Sequence, residues 1–320
     1  MKWSNFTLEN YKKINNANII KNNLLINKMN KDKLKIINSN EIKFDISYTD
    51  IDNNFIKECS SGKWVYKDGL FKDLDNLKYE IEIKWNNNII YIKCNEHKIV
   101  SILNRLHVLL KVINHINNEN KKLRIYLILS NLKKNIDNNK VLEAKHINSG
   151  YSHGRDKYIF IWREEEFEKV LFHEIIHQIE HDHRYEDYDL DKYNDKSFYE
   201  SLTDTKAIYY NIIYLSILSN ENIDKLLNIE MNFIINQANY MNNLINNNYK
   251  QISPVYSYYI IKAKIFKYLL SNNMNETLYN KLFIKNIYGN ELINIIYNHE
   301  LHPINYVYLD SNRMTILELN

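Results

Sequence analysis

One pentapeptide in this chain has the residue types and the spacing of a metal-dependent hydrolytic site. His173 and His177 lie four residues apart in a segment with helical apolar spacing, which places both imidazoles on one helix face. Two imidazoles one turn apart can bind the same cation, and Glu174 beside them can take a proton from water. The H-E-x-x-H pattern therefore predicts a metal centre with Glu174 as general base.

The surroundings of this motif favour the same interpretation. Asn is scattered through the rest of the chain but is absent from Ser149 to Tyr193. The apolar residues around the motif are Phe167, Val170, Leu171, Phe172, Ile175, Ile176 and Ile179. They make the helix apolar on most sides, and burial of two His and one Glu without a partner would cost several kcal/mol. A metal ion supplies such a partner.

A zinc hydrolase site needs a third protein ligand, and two residues compete for that role. His183 stands where the H-E-x-x-H-x-x-G-x-x-H pattern of the metzincins has its third histidine, but Glu180 replaces the glycine that turns the chain there. Glu200 begins the next predicted helix, and Asp204, one turn later, can accept the second N–H of a ligating histidine. The sequence favours Glu200 and keeps His183 as the alternative.

An H-E-x-x-H helix followed by an E-x-x-x-D helix resembles the gluzincin family of zinc metallopeptidases, over about residues 157–214. The resemblance implies a zincin-like fold and a zinc-dependent peptidase with a peptide or protein substrate. It implies His173, His177 and Glu200 as zinc ligands, Glu174 as base, and Asp204 as the residue that orients His173.

The resemblance also implies an edge strand that runs antiparallel to the bound peptide, and Tyr158–Trp162 is the segment expected to form it. Tyr199 departs from the thermolysin-like members, which have asparagine just before the glutamate ligand. A divergent branch of the family is therefore expected. The Asn, Ile, Lys and Tyr bias is typical of an AT-rich genome, such as that of a large DNA virus or a protist.

A hydrolytic site of this kind needs a donor that stabilises the oxyanion of the tetrahedral intermediate. In gluzincins a Tyr or His from a later helix or loop often has this role. Three tyrosines at the start of a later predicted helix are the candidates: Tyr256, Tyr258 and Tyr259. His299 and His302 are reserve candidates.

The alternative function is an inactive zincin that keeps its metal and binds a protein partner. The intact Glu174 argues against it, because a structural metal site closes all four positions with protein ligands and needs no base. A metzincin-like peptidase with His183 as ligand is the other alternative.

Composition excludes several other classes. Cys59 and Cys94 are too few for a disulfide framework and lack a motif context, so buried side chains and a reducing compartment are expected. With 5 Gly, the chain has no Gly-rich phosphate loop. The first residues lack the apolar core of a secretory signal. The chain contains no run of about 18 apolar residues, so no membrane span is predicted. A cytoplasmic location is predicted, in the host cytoplasm or the virion if the source is viral.

The charge is uneven along the chain. Residues 1–150 carry 26 Lys and Arg against 16 Asp and Glu, whereas residues 151–200 carry 7 against 14. The lysines of the basic part stand singly between Asn and Ile, without a dense block or an aromatic stripe. They are therefore expected to face solvent rather than nucleic acid.

The hydrophobic pattern predicts the elements that position the site. Alternation over Tyr79–Trp85 and Ile89–Cys94 indicates a β-hairpin, followed by a helix over 97–116 and strands over 123–129 and 157–162. Predicted helices cover 163–182, 197–218, 222–244, 255–270 and 276–287. The expected fold class is α+β, with a small mixed or antiparallel sheet, an active-site helix and a mainly helical C-terminal half. A boundary near Asn95 divides an N-terminal region, 1–95, from a peptidase domain, 96–320.

Overall fold

The structure is a computed structural model that describes most of the chain. It describes residues 2–319 except 15–18, 21, 62–64, 136–140, 154–157, 181–194, 248, 252–254, 285–289, 299–300, 302–306, 308 and 310. The helices in this part of the chain are α1 (Asn5–Tyr11), α2 (Leu24–Ile37), α3 (Asn53–Cys59), α4 (Lys67–Leu74), α5 (Glu96–Ile116), α6 (Ala144–Ile147), α7 (Phe167–Glu180), α8 (Asp195–Ser219), α9 (Ile223–Asn246), α10 (Lys262–Leu269), α11 (Glu276–Tyr279) and α12 (Asn290–Tyr297). The strands are β1 (Asp45–Tyr48), β2 (Tyr79–Trp85), β3 (Asn88–Cys94), β4 (Arg124–Ser130), β5 (Val141–Leu142), β6 (Gly150–His153), β7 (Tyr158–Arg163) and β8 (Lys250–Gln251).

Six strands form one mixed sheet in the order β1-β2-β3-β4-β7-β6. β2 and β3 form the predicted antiparallel hairpin, in which Trp85 pairs with Asn88. Asn86 in the connecting turn has a φ of 48°, a conformation that asparagine tolerates better than most residues. β3, β4 and β7 run parallel, and β6 is antiparallel to β7. The fold is therefore mixed α/β with a mainly helical C-terminal half.

The predicted edge strand is wrong in position. β7 covers the predicted segment but lies inside the sheet, between β4 and β6. The continuous apolar run Tyr158–Trp162 is typical of a strand that is buried on both faces, and β7 is indeed buried on both sides from Ile159 onward. The edge is β6, Gly150–His153, a segment of four residues that is too short for alternation to reveal.

Strands from both sides of the predicted boundary share this sheet. β3 ends one residue before Asn95, and β4, from the other side, pairs with it in parallel register. The two parts of the chain therefore contribute to one sheet and one core. The division at Asn95 stays a prediction.

Helix α7, which carries the H-E-x-x-H motif, is buried between the sheet and other helices. It packs on β6 and β7 and against α5 and α8. The helix begins at Phe167, later than the predicted Arg163, because Arg163 ends β7 and its buried guanidinium donates hydrogen bonds to carbonyls of the preceding loops. Glu166, with a φ of 59°, turns the chain from the strand into the helix.

The segment Ser311–Leu319 is buried although it has no regular secondary structure. Side chains hold much of its backbone. Glu166 Oε1 accepts the N–H groups of Met314 and Thr315, and the Tyr259 hydroxyl donates to the carbonyl of Asn312. Met314 of this segment contacts Lys169 of α7, so the segment packs against the motif helix.

Helix α5 is the one described helix that is long and apolar enough, by length and composition, to cross a membrane, with a mean hydropathy of 1.3. Half of that stretch is buried inside the fold. Core helices share these properties, so they are weak evidence for a membrane span. The predictions of no membrane association, no nucleic-acid binding and a cytoplasmic location stay predictions.

Glu230 on α9 makes the stability of this core depend on pH. Its buried Oε2 accepts hydrogen bonds from the Thr315 hydroxyl (2.8 Å) and the Ile316 N–H (3.3 Å). Burial raises the pKa of Glu230 from 4.5 to about 7. The folded protein therefore binds a proton that the unfolded chain has released, and this contribution to stability is lost as the pH rises toward about 7.

We expect the Glu230→Gln variant to lack this dependence. From about pH 5 to about pH 8, the free energy of unfolding of the wild-type protein should fall relative to that of the variant by about 1–3 kcal/mol. Urea unfolding of both proteins across this range measures the difference. Glu119→Gln, at an exposed position, is the control, and a difference that stays constant with pH for Glu230→Gln would contradict the prediction.

Candidate metal centre

Helix α7 places the two histidines of the motif side by side. His173 and His177 are one turn apart, their Nε2 atoms lie 2.9 Å from each other, and their rings meet edge to face. His173 is buried and His177 is partly exposed. The helical period therefore brings the two ring nitrogens together, as the spacing predicts.

Helix α8 brings the predicted third donor to the same point. Glu200 Oε2 lies 3.2 Å from His177 Nε2 and 3.6 Å from His173 Nε2. Among the described residues, these three are the group of His, Cys, Asp or Glu side chains that could hold a metal ion, with all ligand atoms within 4.8 Å of one another. Two separate helices thus supply one donor set.

The donor set fits a tetrahedral cation. Ligand atoms at bonds of about 2.0–2.1 Å in a tetrahedral site are separated by about 3.3 Å, and the three separations here range from 2.9 to 3.6 Å. Two nitrogen lone pairs and one carboxylate oxygen converge, which is the donor chemistry of catalytic zinc sites. The three residues present therefore fit such an ion and offer three of its four ligands.

Electrostatic interactions in the site favour a positive charge at this point. Burial alone would lower the pKa of His173, but the hydrogen bonds with Asp204 and Glu200 raise it to about 9. Burial would raise the pKa of Glu200, yet His177 and His173 hold it well below 4.5. The negative charges that stabilise a proton on His173 attract a metal cation for the same reason.

Asp204 lies behind His173, where the E-x-x-x-D spacing predicts it. Its Oδ1 is 3.1 Å from His173 Nδ1, so a proton on Nδ1 leaves Nε2 free to bind a cation. The same carboxylate contacts two buried lysines, Lys169 on α7 and Lys262 on α10. Burial opposes its charge, but these two ammonium groups hold the pKa of Asp204 well below its usual value.

Glu174 borders a small cavity beside the donor set. The cavity has a volume of about 30 Å³, and its lining includes His173, Gly150 and Tyr258. Among the described residues, none donates a hydrogen bond to the Glu174 carboxylate, and burial raises its pKa above 4.5. A Cβ atom on Gly150 would lie 3.2 Å from Glu174 Cγ and 2.8 Å from Val170, so only glycine lets β6 approach α7 this closely.

Of the three candidate tyrosines, the structure places Tyr258 at the donor set. Its hydroxyl donates to Glu200 Oε2 at 3.1 Å, and its ring centroid lies 5.9 Å from that of His173. Burial and the nearby Glu200 raise the pKa of Tyr258, which keeps its hydroxyl protonated. Tyr259 points elsewhere, with its hydroxyl on the Asn312 carbonyl.

The segment that carries these tyrosines is a π-helical turn, Tyr256–Ile261, which leads into α10. The sequence predicts only an uninterrupted helix there. Tyr258 on this turn contacts Glu200, and Lys262 at its end contacts Asp204. Tyr258 and Lys262 are four positions apart, as are Glu200 and Asp204, so the two contacts lie one helical turn from each other. Tyr256 is partly exposed and packs against the largest cluster of buried apolar side chains in the fold.

Other candidates lie away from the donor set or outside the described residues. His183, the alternative ligand, and the reserves His299 and His302 fall outside them. Tyr199 packs on His177, with ring centroids 5.3 Å apart. Both cysteines are buried as expected, and burial raises the pKa of the Cys94 thiol to about 12.

Sequence reasoning missed two residues that contact the site, Lys169 and Lys262. Lys169 lies one turn before His173 on α7, so the helical period could have placed it on the same face. Nothing local marks Lys262, because its contact with Asp204 depends on how α10 packs on α8.

No family model, no curated protein and no solved structure matches this chain. The chemistry of the site is therefore inferred from its own residues.

We expect the His173→Ala, His177→Ala and Glu200→Ala variants each to lose tightly bound metal, because two ligands hold an ion far more weakly than three. Elemental analysis after dialysis measures metal per chain, and circular dichroism checks folding. His107→Ala, at an exposed position on α5, is the control. If Glu200→Ala keeps its metal and His183→Ala loses it, the third ligand is His183 instead.

Proposed function

We propose that this protein is a zinc-dependent peptidase of the gluzincin type, with His173, His177 and Glu200 as ligands of one Zn²⁺. The observation that supports this most directly is the convergence of Glu200 with both histidines, while the Glu174 carboxylate lies beside them. A peptide or protein is the proposed substrate. The mixed sheet, the buried motif helix and the helical second half support the zincin-like fold that the resemblance implies.

A zinc ion held by His173, His177 and Glu200 would supply Lewis-acid chemistry, lowering the pKa of water and polarising the carbonyl of a peptide bond. Glu174 accepts the proton of the attacking water and returns it to the leaving amine. Burial raises the pKa of Glu174, which makes its carboxylate a stronger base than an exposed one. Asp204 holds His173 in the tautomer that directs Nε2 to the ion.

Tyr258 supplies the donor for the oxyanion of the tetrahedral intermediate. Its hydroxyl is within hydrogen-bond distance of one ligand atom, Glu200 Oε2, so it borders the position that the ion and a substrate carbonyl would share. The edge strand β6 begins at Gly150, close to Glu174, and the edge of β6 that pairs with no strand of the described residues is the proposed place for the substrate backbone.

We expect Glu174→Gln to abolish zinc-dependent cleavage of a mixed peptide library while the variant keeps its zinc. The amide has nearly the same shape as the carboxylate but cannot accept the proton, and Glu174 is not a ligand. Mass spectrometry of the products, with elemental analysis of the same samples, measures both properties. Glu9→Gln, at an exposed position on α1, is the control.

The same experiment separates this proposal from the alternative of an inactive zinc-binding protein. If the wild-type protein binds zinc but cleaves no peptide, the alternative of an inactive zinc-binding protein is favoured. If Glu174→Gln cleaves as well as the wild type does, Glu174 is not the general base.

We expect Tyr258→Phe to lower kcat by about 100-fold with little change in zinc content, because one donor to the oxyanion is lost. Tyr256→Phe, two residues earlier on the same turn, is the matched control and should keep wild-type kcat. Steady-state kinetics on a substrate found in the library measures both. Equal kcat values for Tyr258→Phe and the wild type would assign the oxyanion donor to another residue.

A further inference from the structure

The carboxylate of Asp204 has more cationic partners than a residue that orients a histidine needs. Its Oδ1 faces both His173 Nδ1 and the ammonium of Lys169, and its Oδ2 accepts from Lys262 Nζ at 2.8 Å. Asp204 is fully buried, and the side chains of the two lysines are 1–2 % exposed. Orientation of His173 alone would require only the carboxylate.

Among the described residues, Asp204 is the one carboxylate that both lysine ammonium groups contact directly, whereas Glu174 acts on Lys169 and Glu230 on Lys262 only at longer range. The other direct contacts of the lysines are uncharged: Lys262 donates to the Met314 carbonyl at 3.1 Å, and Lys169 lies 3.4 Å from the Met314 sulfur. A second buried ammonium close to a cation site is unfavourable for the fold and for cation binding alike. A function in the metal centre would explain why both are present.

Two effects on His173 follow from this arrangement. With both oxygens engaged, the carboxylate cannot rotate away from Nδ1. A carboxylate that shares its charge with two ammonium groups is also a weaker acceptor, so it transfers less negative charge through the imidazole to a bound ion. An ion that receives less charge from its ligands polarises water and carbonyl groups more strongly.

We propose that Lys169 and Lys262 are positioning residues that act through Asp204 on His173, fixing its orientation and limiting the negative charge that reaches the metal. The inference rests on the proposed function, which supplies the metal. It predicts that the two lysines lower the affinity of the site for zinc and make the bound ion more electrophilic.

The test replaces one ammonium at a time in the full-length protein. In Lys169→Met and Lys262→Met, the new side chain is similar in length to lysine but carries no charge. In each variant the remaining lysine still contacts the Asp204 carboxylate. Lys206→Met is the matched control, because Lys206 is a buried lysine on α8 that pairs with Glu180 at 2.6 Å and does not contact Asp204. Lys262→Gln keeps a donor for Oδ2 and removes only the charge, in case the Met variant does not fold.

Two measurements follow, one with zinc and one without. Competition with a chromogenic chelator gives the zinc affinity, which we expect to increase about tenfold in the Lys169 and Lys262 variants and to stay unchanged in Lys206→Met. Proton NMR of the metal-free protein follows the Nδ1–H of His173. We expect its resonance to move downfield in the same variants, because a carboxylate with one cation fewer is a stronger acceptor.

A purely structural role predicts a different pattern. Lower thermal stability in all three Met variants, with zinc affinity unchanged or decreased and with the Nδ1–H resonance of the wild type, would overturn the inference. If the wild-type protein takes up no zinc, the proposed function fails, and the NMR measurement on the metal-free protein still decides whether the lysines act on His173.

Discussion

The buried carboxylate of Asp204 is the interaction on which the rest of the site depends. It belongs to α8 and contacts α7 through Lys169 and His173, and α10 through Lys262. Displacement of any of these helices would leave a charge buried without its partner, which costs several kcal/mol. The relative positions of the three helices are thus set by charge pairing as well as by apolar packing. As a consequence, the donor atoms of His173, His177 and Glu200 on α7 and α8 are held close together.

The spacing of residues within each helix explains why so much of the site could be predicted from the sequence. The residues at this junction repeat every four positions on each helix: Lys169, His173 and His177; Glu200 and Asp204; Tyr258 and Lys262. Within one helix the period determines which side chains share a face, so the H-E-x-x-H pair and the E-x-x-x-D pair could be recognised without a structure. Contacts between helices carry no such local signal, and the lysines were missed for that reason.

The sheet shows the same limit. Alternation identified β2 and β3, and the apolar runs identified β4 and β7, because each has six or seven residues with a clear pattern. The position of a strand within the sheet depends on its partners along the chain and in space. β6 has four residues and is antiparallel to β7. The sequence therefore did not predict that β6 forms the edge of the sheet next to Glu174. The π-helical turn at Tyr258 was not predicted either, because its apolar spacing is that of an ordinary helix.

The geometry around the donor set is the reason for proposing a catalytic metal rather than a structural one. A structural zinc site is closed by four protein ligands, whereas the group formed by the described residues has three. Glu174 is the neighbouring carboxylate that could have closed the site, but it lines the cavity instead, where the backbone of Gly150 approaches it closely. A fourth ligand there would make the core more stable, since a buried carboxylate without a donor is unfavourable. Under the proposed function, this unfavourable group beside three converging donors is a base that must remain free to accept a proton.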